Sequence, residues 1–222
     1  MNAGFIRRGV STFFDFVIVI ALIYLSYLGV GRTIIQNQIP YFDELYGAFL
    51  EINDAYGEDV ERVRLEYDAS IELAGGNKDL EAQALANYTT SLTILDQQNL
   101  IDIEPYNRPI TKFFLNSIYY FAIGFLIVMG IYTVAVKGKT FGRRIMKLEL
   151  TGKLNPTSIF VHDILLKYFI IVLTLVISIY GGLMVFLLAL LVDMALMTFT
   201  RNKRTFRDTL LNMDISVQGR GY

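Results

Sequence analysis

Acidic side chains interrupt two long apolar stretches of this sequence, and these are the residues best placed to do chemistry. Asp15 lies in the stretch of residues 13–30, and Asp193 lies in the stretch of residues 168–200. An acid at the centre of a membrane helix costs about 2.5–3.5 kcal/mol on insertion scales. Each aspartate therefore has to face protein or water and needs a cationic or hydrogen-bonding partner.

Basic residues are predicted to lie close to these acids. Arg8 precedes Asp15 by seven residues, which places both side chains on one face of a helix. If the chain folds back within residues 168–200, Asp193 comes within reach of Lys167. One or two turns before Lys167, the same helix carries His162 and Asp163.

The predicted polar cluster has three interpretations. Intramembrane ionisable residues often line an ion or proton path. The same residues can instead be paired charges that fix the register of the helices, or they can bind a lipid headgroup or a substrate. The sequence leaves all three open.

Two basic segments flank the apolar stretches. Seven of their bases are candidates for contact with lipid headgroups, namely Lys139, Arg143, Arg144, Arg201, Lys203, Arg204 and Arg207. A base next to the membrane gains about 1 kcal/mol from anionic lipid. We therefore expect both segments to contact the bilayer and its anionic headgroups, with a cytoplasmic protein partner as the alternative and without nucleic acid.

The sequence carries no signature of an enzyme. It has a single histidine and no cysteine, and it lacks the His-Glu-x-x-His, Gly-x-Ser-x-Gly and P-loop motifs. Asp15 and Asp193 also lack the Gly-x-Gly-Asp context of intramembrane aspartyl proteases. We expect no catalytic residue, no metal site and no cofactor.

The apolar stretches predict four membrane-spanning helices. Residues 13–30 and 113–136 are each long enough for one crossing. Residues 168–200 would span about 50 Å as one helix, too long for a hydrocarbon core of about 30 Å. We predict two helices there, at about 157–180 and 183–199, joined at Tyr180-Gly181-Gly182 as a tight hairpin. A re-entrant hairpin is the alternative.

Charge segregation predicts the orientation. Residues 32–111 hold 15 acids and 5 bases, whereas residues 137–167 hold 7 bases and 2 acids. Basic loops stay inside, so both termini are expected in the cytoplasm of an inner (cell) membrane protein whose first helix is an uncleaved anchor. The predicted segments are 1–31 (N-terminus and helix 1), 32–111 (acidic extracytoplasmic domain), 112–136 (helix 2), 137–156 (basic loop), 157–199 (helices 3 and 4) and 200–222 (basic tail).

The acidic segment is predicted to be helical. Its apolar residues recur at helical spacing in three stripes, which begin at Leu45, Val60 and Leu85. Gly57 and residues 74–77 are predicted breaks between the helices. The stripes predict a helical domain that packs on itself or continues helices 1 and 2 outward, with a groove for a protein partner as the alternative to core packing. The fold class is therefore all-α, a polytopic membrane protein with a helical extracytoplasmic insertion.

Three motifs resemble those of the RDD family, which is named for one arginine and two aspartates. They are residues 3–8 (AGFIRR) with Asp15, residues 138–148 (GKTFGRRIMKL) and residues 204–211 (RTFRDTLL). The resemblance implies that the name-giving positions are Arg8, Asp15 and Asp208. Ser11, Lys167 and Arg207 depart from residues common in the family, and the acidic segment is an insertion.

The resemblance implies a bacterial or archaeal membrane protein for which transport has been proposed. We therefore expect transport or ion translocation through the polar cluster. The alternative is a membrane scaffold or regulatory protein that holds a partner through the extracytoplasmic domain. Because four helices make a small bundle, a homo-oligomer is expected.

Overall fold

The computed structural model describes residues 3–152, 154–200 and 204–218, which form two compact units. Unit 1 contains the described residues of 1–32 and 117–222, and unit 2 is Thr33–Asn116. In chain order the elements are α1 (Phe5–Ser26), a first π-helix (Tyr27–Gly31), α2 (Arg32–Asn37), α3 (Phe42–Ala74), α4 (Lys78–Ala135), α5 (Phe141–Ile145), β1 (Leu148–Thr151), α6 (Pro156–Phe160), a second π-helix (Val161–Phe169), α7 (Ile170–Ile177), α8 (Ile179–Phe199), α9 (Phe206–Leu211) and β2 (Asp214–Val217).

Within the described residues, four helices are long and apolar enough to cross a membrane. These candidate spans are Phe5–Asn37, Lys78–Ala135, Pro156–Ile177 and Ile179–Phe199. Helix makes up 84% of the structure, which confirms the predicted all-α membrane class. The helix of span 1 continues to Asn37, and the predicted helix 2 is the last part of the 58-residue α4.

The buried face of α1 explains how span 1 joins the others. Its buried residues follow helical spacing and change from polar to apolar, in the order Arg8, Ser11, Asp15, Val19 and Ile23. Val19 and Ile23 pack in a core of unit 1 with Phe125, Met129 and Ile164. Large apolar side chains cover the other faces of α1, as expected for a helix surrounded by lipid.

The break between spans 3 and 4 is at Ser178, so the predicted turn at Gly181 and Gly182 is wrong by about three residues. Ser178 has extended backbone angles, and its hydroxyl accepts a hydrogen bond from the Gly181 N–H at 3.2 Å. Serine is a preferred N-cap, so α8 begins at Ile179 and includes both glycines. A Cβ on Gly182 would lie 2.5 Å from the Cα of Leu175, so α8 packs closely on α7.

Unit 2 contains most of α2, all of α3 and the first part of α4. Tyr67 packs on Tyr88 with 4.7 Å between ring centroids, and the Tyr56 hydroxyl donates to Asp96 at 2.5 Å. The predicted break at residues 74–77 is confirmed, since Gly75 ends α3 with a positive φ of 55°. The predicted break at Gly57 is wrong, because that residue lies inside α3.

The described parts of the basic loop and tail fold together, which the sequence did not predict. Strands β1 and β2 pair antiparallel, and the Ala3 N–H donates to the Ile215 carbonyl at 2.9 Å. Their core is formed by Ala3, Leu148, Leu150, Ile159, Met213 and Ile215. We call the assembly of Ala3, α5, β1, α9 and β2 the terminal cap.

Candidate functional site

A polar cavity of about 20 Å³ lies in unit 1, between the spans and the terminal cap. That volume holds about one water molecule. Its charged lining consists of the acids Asp15 and Asp163 and of the bases Arg8, Arg143, Lys167 and Arg207. The structure therefore brings most of the sequence-predicted cluster around one small cavity.

Asp15 joins α5 to α1. Its carboxylate accepts hydrogen bonds from the Thr140 hydroxyl at 2.6 Å and from the Gly142 N–H at 2.8 Å. A Cβ on Gly142 would lie only 1.9 Å from the Ser11 carbonyl oxygen, so the two helices approach as only glycine allows. The predicted need of Asp15 for a partner is met by hydrogen-bond donors at the start of α5.

A continuous chain of hydrogen-bonded ionisable groups connects Arg8 to Arg143 beside the cavity. Arg8 donates to Asp208, and the two ring nitrogens of His162 lie 2.8 Å from Asp208 and 2.7 Å from Asp163. Arg143 donates to Asp163 at 2.6 Å. When His162 is protonated, both ring N–H groups donate and the charges alternate along this ion chain.

Local structure explains how Asp208 reaches the ion chain. Asp208 lies in the first turn of α9, where it forms a reciprocal capping box with Thr205. Burial raises the pKa of Asp208, but the His162 hydrogen bond and the Arg8 guanidinium outweigh it and hold that pKa well below its usual range. Arg8 also donates to the carbonyls of Ala3 and Ile215, both at 3.1 Å.

At the other end of the ion chain, Arg143 is held between two acceptors. It donates to the Gly138 carbonyl at 2.8 Å as well as to Asp163. Burial lowers the pKa of Arg143, but the negative charge of Asp163 outweighs it and raises that pKa above its usual value. The guanidinium is therefore a fixed positive charge in the cavity wall.

The second π-helix carries the remaining residues of the site. Its hydrogen bonds join residues that are five apart in sequence. The side chains of Asp163 and Tyr168 therefore lie near the same face of the helix, with Lys167 beside them. The Lys167 ammonium donates to the Thr12 hydroxyl at 2.8 Å and lies 4.7 Å from the centre of the Tyr168 ring. π-Helices are rare and frequently occur at functional sites.

The predicted pair of Lys167 and Asp193 is wrong. Asp193 accepts hydrogen bonds from Arg207 at 3.3 Å and from the Phe206 N–H at 3.2 Å. The reason is that α9 returns alongside α8 and brings Arg207 closer to this acid. Among the described residues, Lys167 forms no salt bridge.

Three buried polar atoms of cavity-lining residues have no hydrogen-bond partner in the described part of the chain. They are Oδ2 of Asp163, the hydroxyl of Tyr168 and Nε of Arg207. A buried polar group without a partner costs about 1–3 kcal/mol. A small molecule or ion that forms hydrogen bonds would remove this cost, and the cavity has room for one.

The structure corrects several predicted headgroup contacts. Arg143 is buried and pairs with Asp163, whereas Arg207 pairs with Asp193 and Arg204 pairs with Asp214 at 3.2 Å. Lys139 and Arg144 are exposed, so for them headgroup binding stays a prediction. Arg201 and Lys203 lie outside the described residues.

Sequence reasoning missed the residues that complete the site. Thr12, Thr140 and Tyr168 were not singled out, although Thr140 and Gly142 lie in the segment whose spacing resembled the RDD family. Their roles depend on contacts between distant segments, which spacing alone does not give.

Across residues 3–152, 154–200 and 204–218, no group of three or more His, Cys, Asp or Glu side chains is arranged to hold a metal ion.

Comparison with known proteins gives one match. The model of the RDD family matches residues 2–212, nearly the whole chain and all three positions predicted to be name-giving. No curated protein and no solved structure matches the chain.

Proposed function

The chain belongs to the RDD family, and we propose that this membrane protein translocates protons, or an ion of similar size, through the polar cavity of unit 1. The observation that supports this most is the set of buried atoms without a partner, on Asp163, Tyr168 and Arg207. Because each such atom costs free energy, three of them around one cavity favour a site for a small polar molecule or ion over charges that only fix helix register.

Cavity size supports a very small cargo. A volume of about 20 Å³ accommodates about one water molecule and excludes an organic solute. A proton carried by water fits this volume, and so does a monatomic ion. We therefore propose proton translocation, with a monatomic ion as the variant of the same mechanism.

Lys167 is the residue proposed to take up and release the proton. It lines the cavity, and within the described residues its ammonium is bound by the Thr12 hydroxyl rather than by an acid. Lys167 can therefore lose a proton without leaving a carboxylate unpaired. Arg8, Asp15, His162 and Asp208 are proposed to position the elements around it, and no residue is assigned a catalytic role.

The orientation of the protein in the membrane is also proposed. We propose that both termini and the terminal cap lie in the cytoplasm, that α7 and α8 both cross the cell membrane, and that unit 2 lies outside. The segregation of bases and acids along the chain supports this arrangement. A homo-oligomer is proposed because a bundle of four spans is small.

Proton flux into vesicles tests the proposal. The purified protein is reconstituted with a pH-sensitive dye inside the vesicles, and a potassium diffusion potential drives proton entry. Vesicles with protein are expected to acidify faster than protein-free vesicles. Equal rates, with protein insertion verified, would contradict proton translocation, and the same vesicles can then be tested with monatomic ions.

A second function is favoured by a different observation. Unit 2 is a compact unit of its own with a large excess of acids, which suits a protein partner with a basic surface. In this alternative the spans anchor a scaffold, and the vesicles show no flux. Capture of a basic protein by unit 2 of the whole chain would support it.

A further inference from the structure

Helix α5 has two chemically different faces. Its inward face is occupied by the protein: Gly142 packs on Ser11, and Arg143 pairs with Asp163. Its outward face carries Phe141 and Ile145, one helical turn apart and 47% and 46% exposed. An exposed aromatic and aliphatic pair at this spacing is typical of a helix that lies in the membrane interface.

The position of α5 along span 1 agrees with the interface. The Asp15 carboxylate holds the start of α5, and Gly142 contacts the backbone of Ser11. The apolar stretch of span 1 begins at residue 13, between these two contacts. The outward face of α5 therefore lies at the level where headgroups give way to acyl chains.

Two cations lie beside the apolar pair. Nε of Arg144 donates to the Lys139 carbonyl at 2.9 Å, which holds the guanidinium next to the lysine. Both residues are exposed, and within the described residues neither forms a salt bridge. By contrast, Arg143, Arg204 and Arg207 are already paired with acids, so among the predicted headgroup-binding bases that the structure describes, Lys139 and Arg144 are the two without an acidic partner.

We propose that the outward face of α5 binds an anionic phospholipid. Lys139 and Arg144 contact the phosphate of the headgroup, while Phe141 and Ile145 contact the acyl chains. The arrangement of paired cations next to an apolar surface fits a lipid better than a soluble anion, which would gain nothing from the apolar pair. None of these four side chains lines the cavity, so the proposal is independent of the proposed proton path.

Native mass spectrometry of the full chain in detergent tests this site. The probes are dioleoyl phosphatidylglycerol and dioleoyl phosphatidylcholine at equal concentrations. Wild type is expected to retain phosphatidylglycerol preferentially. Each base near the surface contributes a factor of about five, so Lys139→Gln with Arg144→Gln should weaken that binding about 25-fold.

The matched control is Lys78→Gln, which removes an exposed lysine from unit 2 and should leave lipid binding unchanged. Phe141→Ser with Ile145→Ser should also weaken binding of the intact lipid. Unchanged phosphatidylglycerol binding in the charge variant would overturn the proposal, and so would equal binding of phosphatidylcholine. Displacement of the lipid by inorganic phosphate would also overturn it, because that result indicates a phosphate site without an acyl contact.

Discussion

Each of the three positions predicted to be name-giving joins a short element of the terminal cap to a membrane span. Asp15 holds the start of α5 against α1 through Thr140 and Gly142. Arg8 and Asp208 connect α1 with α9, and the same aspartate is bound by His162. We propose that Arg8, Asp15, His162 and Asp208 are positioning residues. They hold the elements that place the buried atoms without a hydrogen-bond partner around the cavity.

Loss of the Asp208 charge is expected to destabilise the fold. Asp208→Asn removes the negative charge that Arg8 and one ring nitrogen of His162 contact, and breaking a buried pair on one side typically costs about 3–5 kcal/mol. Thermal unfolding at pH 7 in detergent measures the effect. Asp68→Asn, which changes an exposed acid in unit 2, is the control and should behave like wild type.

The stabilisation from Asp208 should disappear in acid. Its pKa is lowered in the folded chain, so its contribution is complete above the unfolded value of about 3.9 and is lost as the pH falls toward the folded value. The difference in stability between wild type and Asp208→Asn should therefore shrink as the pH falls below about 4. A difference that grew as the pH fell below about 4 would contradict the assigned ion pair.

At the scale of elements, tight contacts determine how the spans pack. The second π-helix turns Asp163, Lys167 and Tyr168 toward one region, while Gly182 lets α8 approach Leu175 of α7. The π-helix changes the face that a residue presents, and the close approach at Gly182 changes the distance between two helices, but neither alters the hydropathy of the sequence. Neither feature can therefore be predicted from hydropathy.

Adjacent glycines of α8 provide a matched test of this packing. Gly182→Ala would place a Cβ 2.5 Å from Leu175, whereas the same change at Gly181 meets its nearest atom, in Ser178, at 3.4 Å. We expect Gly182→Ala to destabilise the protein by about 1–3 kcal/mol and Gly181→Ala to have little effect. Thermal unfolding of the two variants in the same detergent checks this, and equal melting temperatures would argue against the close approach of α7 and α8.

The elements of the terminal cap could not be predicted from the sequence, whereas the burial of one face of α1 could. The placement of Arg8 and Asp15 on one helix face was predictable because it follows from helical periodicity, and both are indeed buried on α1. The four-residue strands β1 and β2 are too short to give a periodic signal. The partner of Asp193 depends on the path of α9, which no local pattern encodes, so the sequence suggested Lys167 in place of Arg207.

For the whole molecule, most of what the sequence predicts about the fold follows from charge and hydropathy. Four apolar helices and an acidic helical segment were predictable, because membrane spans need long apolar runs and both classes of segment are long. Exact limits were not, since α4 continues through Pro105 and Pro109 without a break. The small cavity was also beyond prediction, because it depends on side chains from spans 1 to 3 and from the terminal cap.

Accessibility of engineered thiols tests the proposed orientation. The chain contains no cysteine, so single variants can be labelled without background. Asn87→Cys in unit 2 should react with a membrane-impermeant maleimide on intact cells, and Lys139→Cys should react only after permeabilisation. The opposite pattern would invert the orientation and place the terminal cap outside.

Proton flux through a Lys167 variant is the most direct test of the proposed proton path through the cavity. Lys167→Met keeps the length of the side chain and removes the titratable group from the cavity, whereas Lys78→Met removes an exposed lysine from unit 2. In vesicles with equal protein insertion, we expect flux at the protein-free level for Lys167→Met and at the wild-type level for Lys78→Met. Wild-type flux through Lys167→Met would contradict the proposed path.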